Sequence, residues 1–144
     1  MSVRVAQLED LPAFLRLMLE LNPEDPILEP MQVESIWRQL LATALVLVKE
    51  LDGVLVATCT LVLVPNLSRG ARSYGLIENV VTLVAYRGQG YGRAVLQAAL
   101  SEAWRRSCYK VMLSTSARTA GVLDFYRRCG FKDGVKVGFV AIPD

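Results

Sequence analysis

The sequence predicts a mixed α/β fold. One domain over residues 1–144 carries a mixed, strongly twisted sheet of about six to seven strands, with about four helices around it. Three observations predict this. Strand-period and helix-period segments alternate as β-α-α-β-β-β-α-β-α-β, which is neither a βαβ series nor a run of hairpins. The chain is 53 % hydrophobic and 21 % charged, enough apolar surface to fill a core. No Pro-, Gly- or Ser-rich linker divides its 144 residues.

The elements follow in order. "VRVAQLEDL" begins with the alternation of a short strand, at Val3 and Val5. From Asp10, "DLPAFLRLMLEL" places Leu11, Phe14, Leu15, Met18 and Leu19 at helical spacing. Asp10 suits the N-cap and Pro12 the first turn. "NPEDPILEP" holds three prolines and reads as a loop. "MQVESIWRQLLA" is a second helix, with Val33, Ile36, Trp37, Leu40 and Leu41 on one face. "TALVLVKELDGVLVATCTLVLVP" is two strands about an Asp52-Gly53 turn. A polar loop over 65–73 leads to the strand "SYGLIENVVTLVA". A glycine-rich segment and a helix to about Arg106 come next. "YKVMLST" is a strand, and "TAGVLDFYRRCG" is a helix with Gly130 at the left-handed C-terminal position. "FKDGVKVGFVAI" closes the chain with one or two short strands.

Composition excludes several function classes. A net charge of +2 with scattered basic residues argues against a nucleic-acid partner. No apolar run reaches the roughly 18 residues of a membrane helix, and no signal-peptide pattern opens the chain. Cys59, Cys108 and Cys129 lack metal spacing and the chain has no histidine, so no metal site is expected. The cysteines read as small hydrophobes of a reduced, cytoplasmic protein. Proton transfer must then rely on carboxylates, tyrosine, water or the substrate.

"YRGQGYGRAVL", residues 86–96, alternates three glycines just before a helix. A Walker loop is excluded, because no Lys-Ser/Thr follows the glycines. The dinucleotide fingerprint is excluded as well: counted from Gly88, its third glycine would be Arg93. What remains is strand, Arg-x-x-Gly-x-Gly, helix. Bare backbone lets a ligand approach closely, and the first amides of a helix carry the positive end of its dipole. That is an anion site suited to a pyrophosphate. A plain glycine-rich turn would look the same in isolation.

Arg87, Gly90 and Gly92 match the Arg/Gln-x-x-Gly-x-Gly/Ala signature of the GNAT superfamily of acetyl-CoA-dependent N-acetyltransferases, which this chain resembles. "IENVVTLVAYRGQGYGRAVLQAAL" resembles that family's central strand, pyrophosphate loop and helix. "YKVMLST" resembles its next strand, and "VLDFYRRCGF" its late helix with Tyr126, Gly130 and Phe131. The likeness spans about residues 44 to 140. Parts of it also look like glucosamine-6-phosphate N-acetyltransferases, and equally like many other bacterial members, so no acceptor is carried over.

The resemblance implies that acetyl-CoA donates an acetyl group to a primary amine, on a small molecule or an exposed amino group, by direct attack. The cofactor arm would pair with the strand around Val80, Val81 and Thr82, with an amide near Val80 on the thioester oxygen. Arg87, Gly88, Gln89, Gly90, Tyr91, Gly92 and Arg93 would hold the pyrophosphate. Thr119 stands where many members carry an asparagine contacting the arm. Tyr126 is the candidate general acid: a phenol with a pKa near ~10 can protonate a thiolate whose conjugate acid lies roughly one to two units lower. An interior tyrosine packed between helix and sheet is the plainer alternative.

Glu78 interrupts an apolar strand. By strand alternation it shares the face of Val80, as base through a water, as ligand of a cationic acceptor, or as a salt-bridged surface residue. Asn79 points the other way and suits a bulge. Arg69 and Arg72 could meet an anionic acceptor or simply be solvated. Trp37 could wall the acceptor pocket or belong to the core. A homodimer through the C-terminal strand is expected by family analogy alone. Two other functions fit the same fold: a non-catalytic acyl-CoA sensor, and an acyltransferase using a longer acyl group.

Overall fold

The computed structural model describes residues 3–144, which fall into two compact units, residues 3–113 and Ser114–Asp144. The first unit holds one sheet in the order β1 (Val3–Val5), β2 (Ala44–Leu51), β3 (Val54–Val64), β4 (Tyr74–Thr82), β5 (Val111–Leu113). The first four are antiparallel neighbours and β5 runs parallel to β4, so the sheet is mixed as predicted. The β2–β3 turn places Asp52 at φ 49° and Gly53 at φ 80°. Two successive left-handed residues form the turn whose twist matches a hairpin, and they set the Leu51↔Val54 register.

Helices α1 (Leu11–Leu21) and α2 (Pro30–Thr43) cover one face. There Phe14, Leu17 and Trp37 pack with Val46, Val48 and Val81. The long helix α4 (Tyr91–Arg105) covers the other face with Val95, Leu96, Ala99 and Ala103. The Cys59 thiol donates to the Val95 carbonyl at 3.4 Å, and Leu47, Cys59, Leu61 and Ile77 share that face by register. Within the 65–73 loop, the four-residue turn α3 (Ser68–Ala71) is interrupted by left-handed Arg69 and Gly70.

Asp10 does not cap α1 with its side chain. Its carboxylate accepts from the Gln7 amide and from both guanidinium nitrogens of Arg4, at 2.7–2.9 Å. It therefore closes the 3-10 turn Leu8–Asp10 and ties that turn to β1. The Arg4 guanidinium holds this carboxyl below the usual aspartate range, with the Gln7 amide adding to the effect and partial burial opposing it.

In the second unit α5 (Ala120–Arg128) ends in a Schellman motif. The Phe131 amide donates to Tyr126 O and the Gly130 amide to Arg127 O, with Gly130 at φ 99°. The predicted closing strands are absent: residues 131–144 form no strand, and among the described residues the sheet has five strands rather than six or seven. A strand needs a neighbour for its backbone groups. The apolar side chains that suggested strands stay exposed instead, Val135 at 71 % and Phe139 at 92 %.

Candidate active site

The central feature is a β-bulge. β3 pairs with β4 through Thr60↔Glu78 and then Thr58↔Val81, so two residues of β4, Asn79 and Val80, face Cys59 alone. Asn79 adopts φ 55°, a left-handed conformation that asparagine tolerates better than most residues. The expected role of Asn79 in the bulge is thus observed. The expected partnership of Glu78 with Val80 needs correction. The extra residue shifts the alternation, so by register Glu78 shares its face with Val81, the α1/α2 side. Glu78 itself is exposed.

The other edge of β4 opens at the same place. β5 pairs with β4 only from Gly75↔Val111 to Ile77↔Leu113. Beyond Ile77, no strand among the described residues pairs with the Glu78–Thr82 edge on that side. Val80 and Thr82 therefore present backbone donors and acceptors along an open sheet edge, the requirement for an extended ligand to add as a strand. Val81, opposite Thr58 and two residues before the Leu83 amide that donates to Val56, turns its backbone groups toward β3 instead.

From Thr82 the chain runs through the 3-10 turn Val84–Tyr86 into the glycine segment. The Glu20 carboxylate accepts from the Val84 amide at 2.7 Å, and Arg87 Nε donates to the Thr82 carbonyl at 3.0 Å. Arg87 thus braces the loop against the end of β4. Gly90 is the N-cap of α4 at φ 88°, with no capping side chain and no acidic residue in the first turn. A Cβ at Gly88 or Gly90 would meet nothing within 4 Å. Neither a capping side chain nor a first-turn carboxylate answers the dipole at this helix start. With its bare backbone it fits the pyrophosphate of a CoA-type ligand.

Lys49, which sequence reasoning passed over, lies below the same helix start. It is 4 % exposed, on the α4 face by its pairing with Ala57, with Nζ 6.0 Å from the Tyr91 ring centre. The signal was present: one lysine in the apolar strand "LVLVKEL".

The remaining candidates lie elsewhere. Trp37 is a core residue, 3 % exposed, its ring tilted 37° to that of Phe14 with centres 4.7 Å apart, and its Nε1 donates to Leu8 O. Buried this way, it has no surface to offer an acceptor. Arg72 is engaged by the carbonyls of Ser107 and Cys108. Arg69 lies 5.8 Å from the Tyr109 ring centre, and Lys110 lies 5.0 Å from that of Tyr74. Thr119 and Tyr126 belong to the second unit. Thr119 is the N-cap of α5 through its backbone, without a side-chain cap. Tyr126 is half-buried, its ring edge-on to Phe125 and Phe131.

The described residues hold no cluster able to bind a metal. All three cysteines are buried, and burial pushes the Cys59 thiol up to about 12. A protonated thiol packed under α4 is no nucleophile, which agrees with direct attack. None of the described helices is long and apolar enough to cross a membrane.

A bulged, half-open central strand leading into an uncapped, glycine-started helix defines a CoA-dependent acyltransferase architecture. The model of the Acetyltransferase (GNAT) family matches residues 11–131. Glucosamine 6-phosphate N-acetyltransferase of Trypanosoma brucei brucei is 30 % identical over 134 residues, covering 92 % of this chain and 89 % of that protein. Glucosamine 6-phosphate N-acetyltransferase 1 of Oryza sativa subsp. japonica is 32 % identical over 135 residues, covering 90 % and 79 %. A solved chain from Agrobacterium tumefaciens str. C58 superposes with a TM-score of 0.94 at 44 % identity, covering 99 % of this chain and 100 % of that one. The chain belongs to the GNAT acetyltransferase family, and it is an N-acetyltransferase that takes its acetyl group from acetyl-CoA.

Proposed function

We propose that the acceptor is the primary amine of a small amino sugar carrying an anionic group, an amino-sugar phosphate of the glucosamine 6-phosphate kind. The observation that carries this reading is the exposed carboxylate of Glu78 at the point where β4 bulges and its edge opens. A carboxylate there can bind an ammonium and take its proton through a water. Tyr74, Leu76 and Glu78 share one face, and four residues of strand span about 13 Å. Arg69 and Lys110 supply positive charge beside Tyr74 and Tyr109, at the far end of that face. An acceptor with an amine at one end and an anion at the other suits this order of charges, and the names of the curated relatives support it.

When bound, acetyl-CoA supplies an activated acetyl thioester. In this reading Gly88–Arg93 amides would hold the pyrophosphate and Arg87 would keep the loop shaped. The β4 edge at Val80–Thr82 would orient the arm, with the Val80 amide as the donor for the thioester oxygen. By the family resemblance, the Tyr126 hydroxyl would give its proton to the departing thiolate. Thr119 begins the helix that carries Tyr126. The match over 11–131 runs through both units and supports one domain over 1–144. A homodimer joined through the C-terminal segment is part of the proposal, since the apolar side chains of 135–142 stand exposed.

An acceptor panel tests the reading: glucosamine 6-phosphate, glucosamine, glucose 6-phosphate and a free peptide amino terminus. The phosphorylated amine should have the highest kcat/KM and glucose 6-phosphate none. Equal rates for glucosamine and its phosphate would remove the anionic requirement.

A further inference from the structure

We propose that Thr60 is a positioning residue of the acceptor site: with the acceptor bound, its hydroxyl donates to one oxygen of the Glu78 carboxylate and so orients the other toward the acceptor ammonium. The proposal rests on the reading of Glu78 given above and adds to it a residue with no assigned role.

Thr60 lies in the middle of β3 and is 3 % exposed. Its Oγ1 is the one buried side-chain polar atom among the described residues without a hydrogen-bond partner. Buried hydroxyls are nearly always satisfied, because desolvating one without a new bond is costly. Thr58 shows what the strand can offer. Two residues away on the same face, its hydroxyl donates to the Leu47 carbonyl at 2.7 Å. Thr60 makes no such bond. The immediate neighbours of Thr60 on its face of the sheet can be read from the register. Val46 is opposite on β2 and Glu78 is opposite on β4, while Thr58 and Val62 stand two residues away on β3 itself. Val46 and Val62 have no polar side-chain atom, and the Thr58 hydroxyl is already engaged. Among these neighbouring side chains in the sheet, Glu78 is the one with a strong acceptor.

The position of the pair matters as much as its chemistry. Thr60↔Glu78 is the last regular pair before the bulge, where Asn79 turns left-handed and the β4 edge opens. Residues directly opposite one another in an antiparallel pair have Cβ atoms about 4.5–5.5 Å apart, so the hydroxyl is within reach of a carboxylate folded back along the strand. A donor on one Glu78 oxygen leaves the other to face the acceptor. The free carboxylate reaches into solvent, and an arriving ammonium draws it inward onto Thr60. A valine would fill the same volume. The hydroxyl is therefore superfluous to packing and costs stability in the free protein.

Thr60→Val, Thr60→Ser, Glu78→Gln and the Thr60→Val/Glu78→Gln double variant test this on the full chain, with acetyl-CoA and glucosamine 6-phosphate as probes. Thr60→Val should melt no lower than the parent and keep the full acetyl-CoA thermal shift. Its kcat/KM for the amine should fall about tenfold, as expected for losing a hydrogen bond to a charged group. Thr60→Ser should restore most of that. The double variant should be no slower than Glu78→Gln alone, because the two residues act as one unit. Unchanged kinetics in Thr60→Val, with Glu78→Gln impaired, would overturn the role of Thr60 and leave Glu78 standing. Additive losses in the double variant, or a marked loss of melting temperature in Thr60→Val, would overturn it as well. A fully active Glu78→Gln would remove both readings together.

Discussion

Replacing Gly90 by alanine separates two reasons for a glycine at the start of α4: its backbone conformation, and the room it leaves for the ligand. Gly90 sits at φ 88°, where a side chain costs about 1–2 kcal/mol. Nothing lies within 4 Å of the added Cβ, so packing contributes no further penalty. Gly53 is the matched control. It has φ 80° and equally open surroundings, but lies in the β2–β3 turn. Both variants should lose about 1–2 kcal/mol, roughly 3–8 °C in Tm. They should differ once CoA is added. At about a hundred times Kd a ligand stabilises by ~2.7 kcal/mol. A Cβ against the pyrophosphate that weakens binding tenfold removes ~1.4 kcal/mol of this, about half the thermal shift. Differential scanning fluorimetry with and without CoA reads both effects. Equal CoA shifts in Gly90→Ala and Gly53→Ala would refute the pyrophosphate assignment, whatever the two melting temperatures are.

Other consequences can be measured on the same protein. Tyr126→Phe should lower kcat about a hundredfold while leaving CoA affinity unchanged, the signature of a lost general acid; unaltered turnover would make Tyr126 a packing residue. The carboxyl of Asp10 is held below its ordinary range by Arg4, so it contributes stability above the unfolded-state pKa and loses it as pH falls through the folded one. Asp10→Asn should therefore cost about 1.5–3 kcal/mol at neutral pH, and its stability should change less than the parent's in acid, as urea titrations across pH would show. Cys59→Ala should retain turnover, and native Cys59 should resist thiol reagents at neutral pH; a stalled Cys59→Ala enzyme would reopen a covalent route. Sedimentation should show a dimer that dissociates when Val137 and Phe139 are replaced by aspartate, whereas a monomeric parent would contradict a homodimer joined through the C-terminal segment.

The legible parts of the fold were those written in local chemistry. Asp52-Gly53 fixed the hairpin because a two-residue turn with left-handed φ at both positions admits few residue types. The alternating glycines marked the start of α4 because little else tolerates φ near 88° at an uncapped helix end. What was not legible depended on pairing between distant residues. The face of Glu78 is decided by one extra residue opposite Cys59, and strand alternation alone cannot show that a bulge displaces it. Thr60 was invisible for the same reason, since an orphaned hydroxyl is defined by neighbours on two other strands. Asp10 carries a good capping residue's chemistry, but Arg4 and the Gln7 amide claim it first. The strand pattern of 135–142 is real in composition, yet it forms no ladder within one chain.

The most direct test mixes the protein with acetyl-CoA and glucosamine 6-phosphate, following free thiol and the masses of product and protein over single and multiple turnovers. Thiol should appear only when the amine is present, mole for mole with N-acetylated product, and the protein's mass should never change. Acetyl-CoA binding without thiol release for any amine, or an acetylated protein formed before the acceptor is added, would contradict direct transfer at this site.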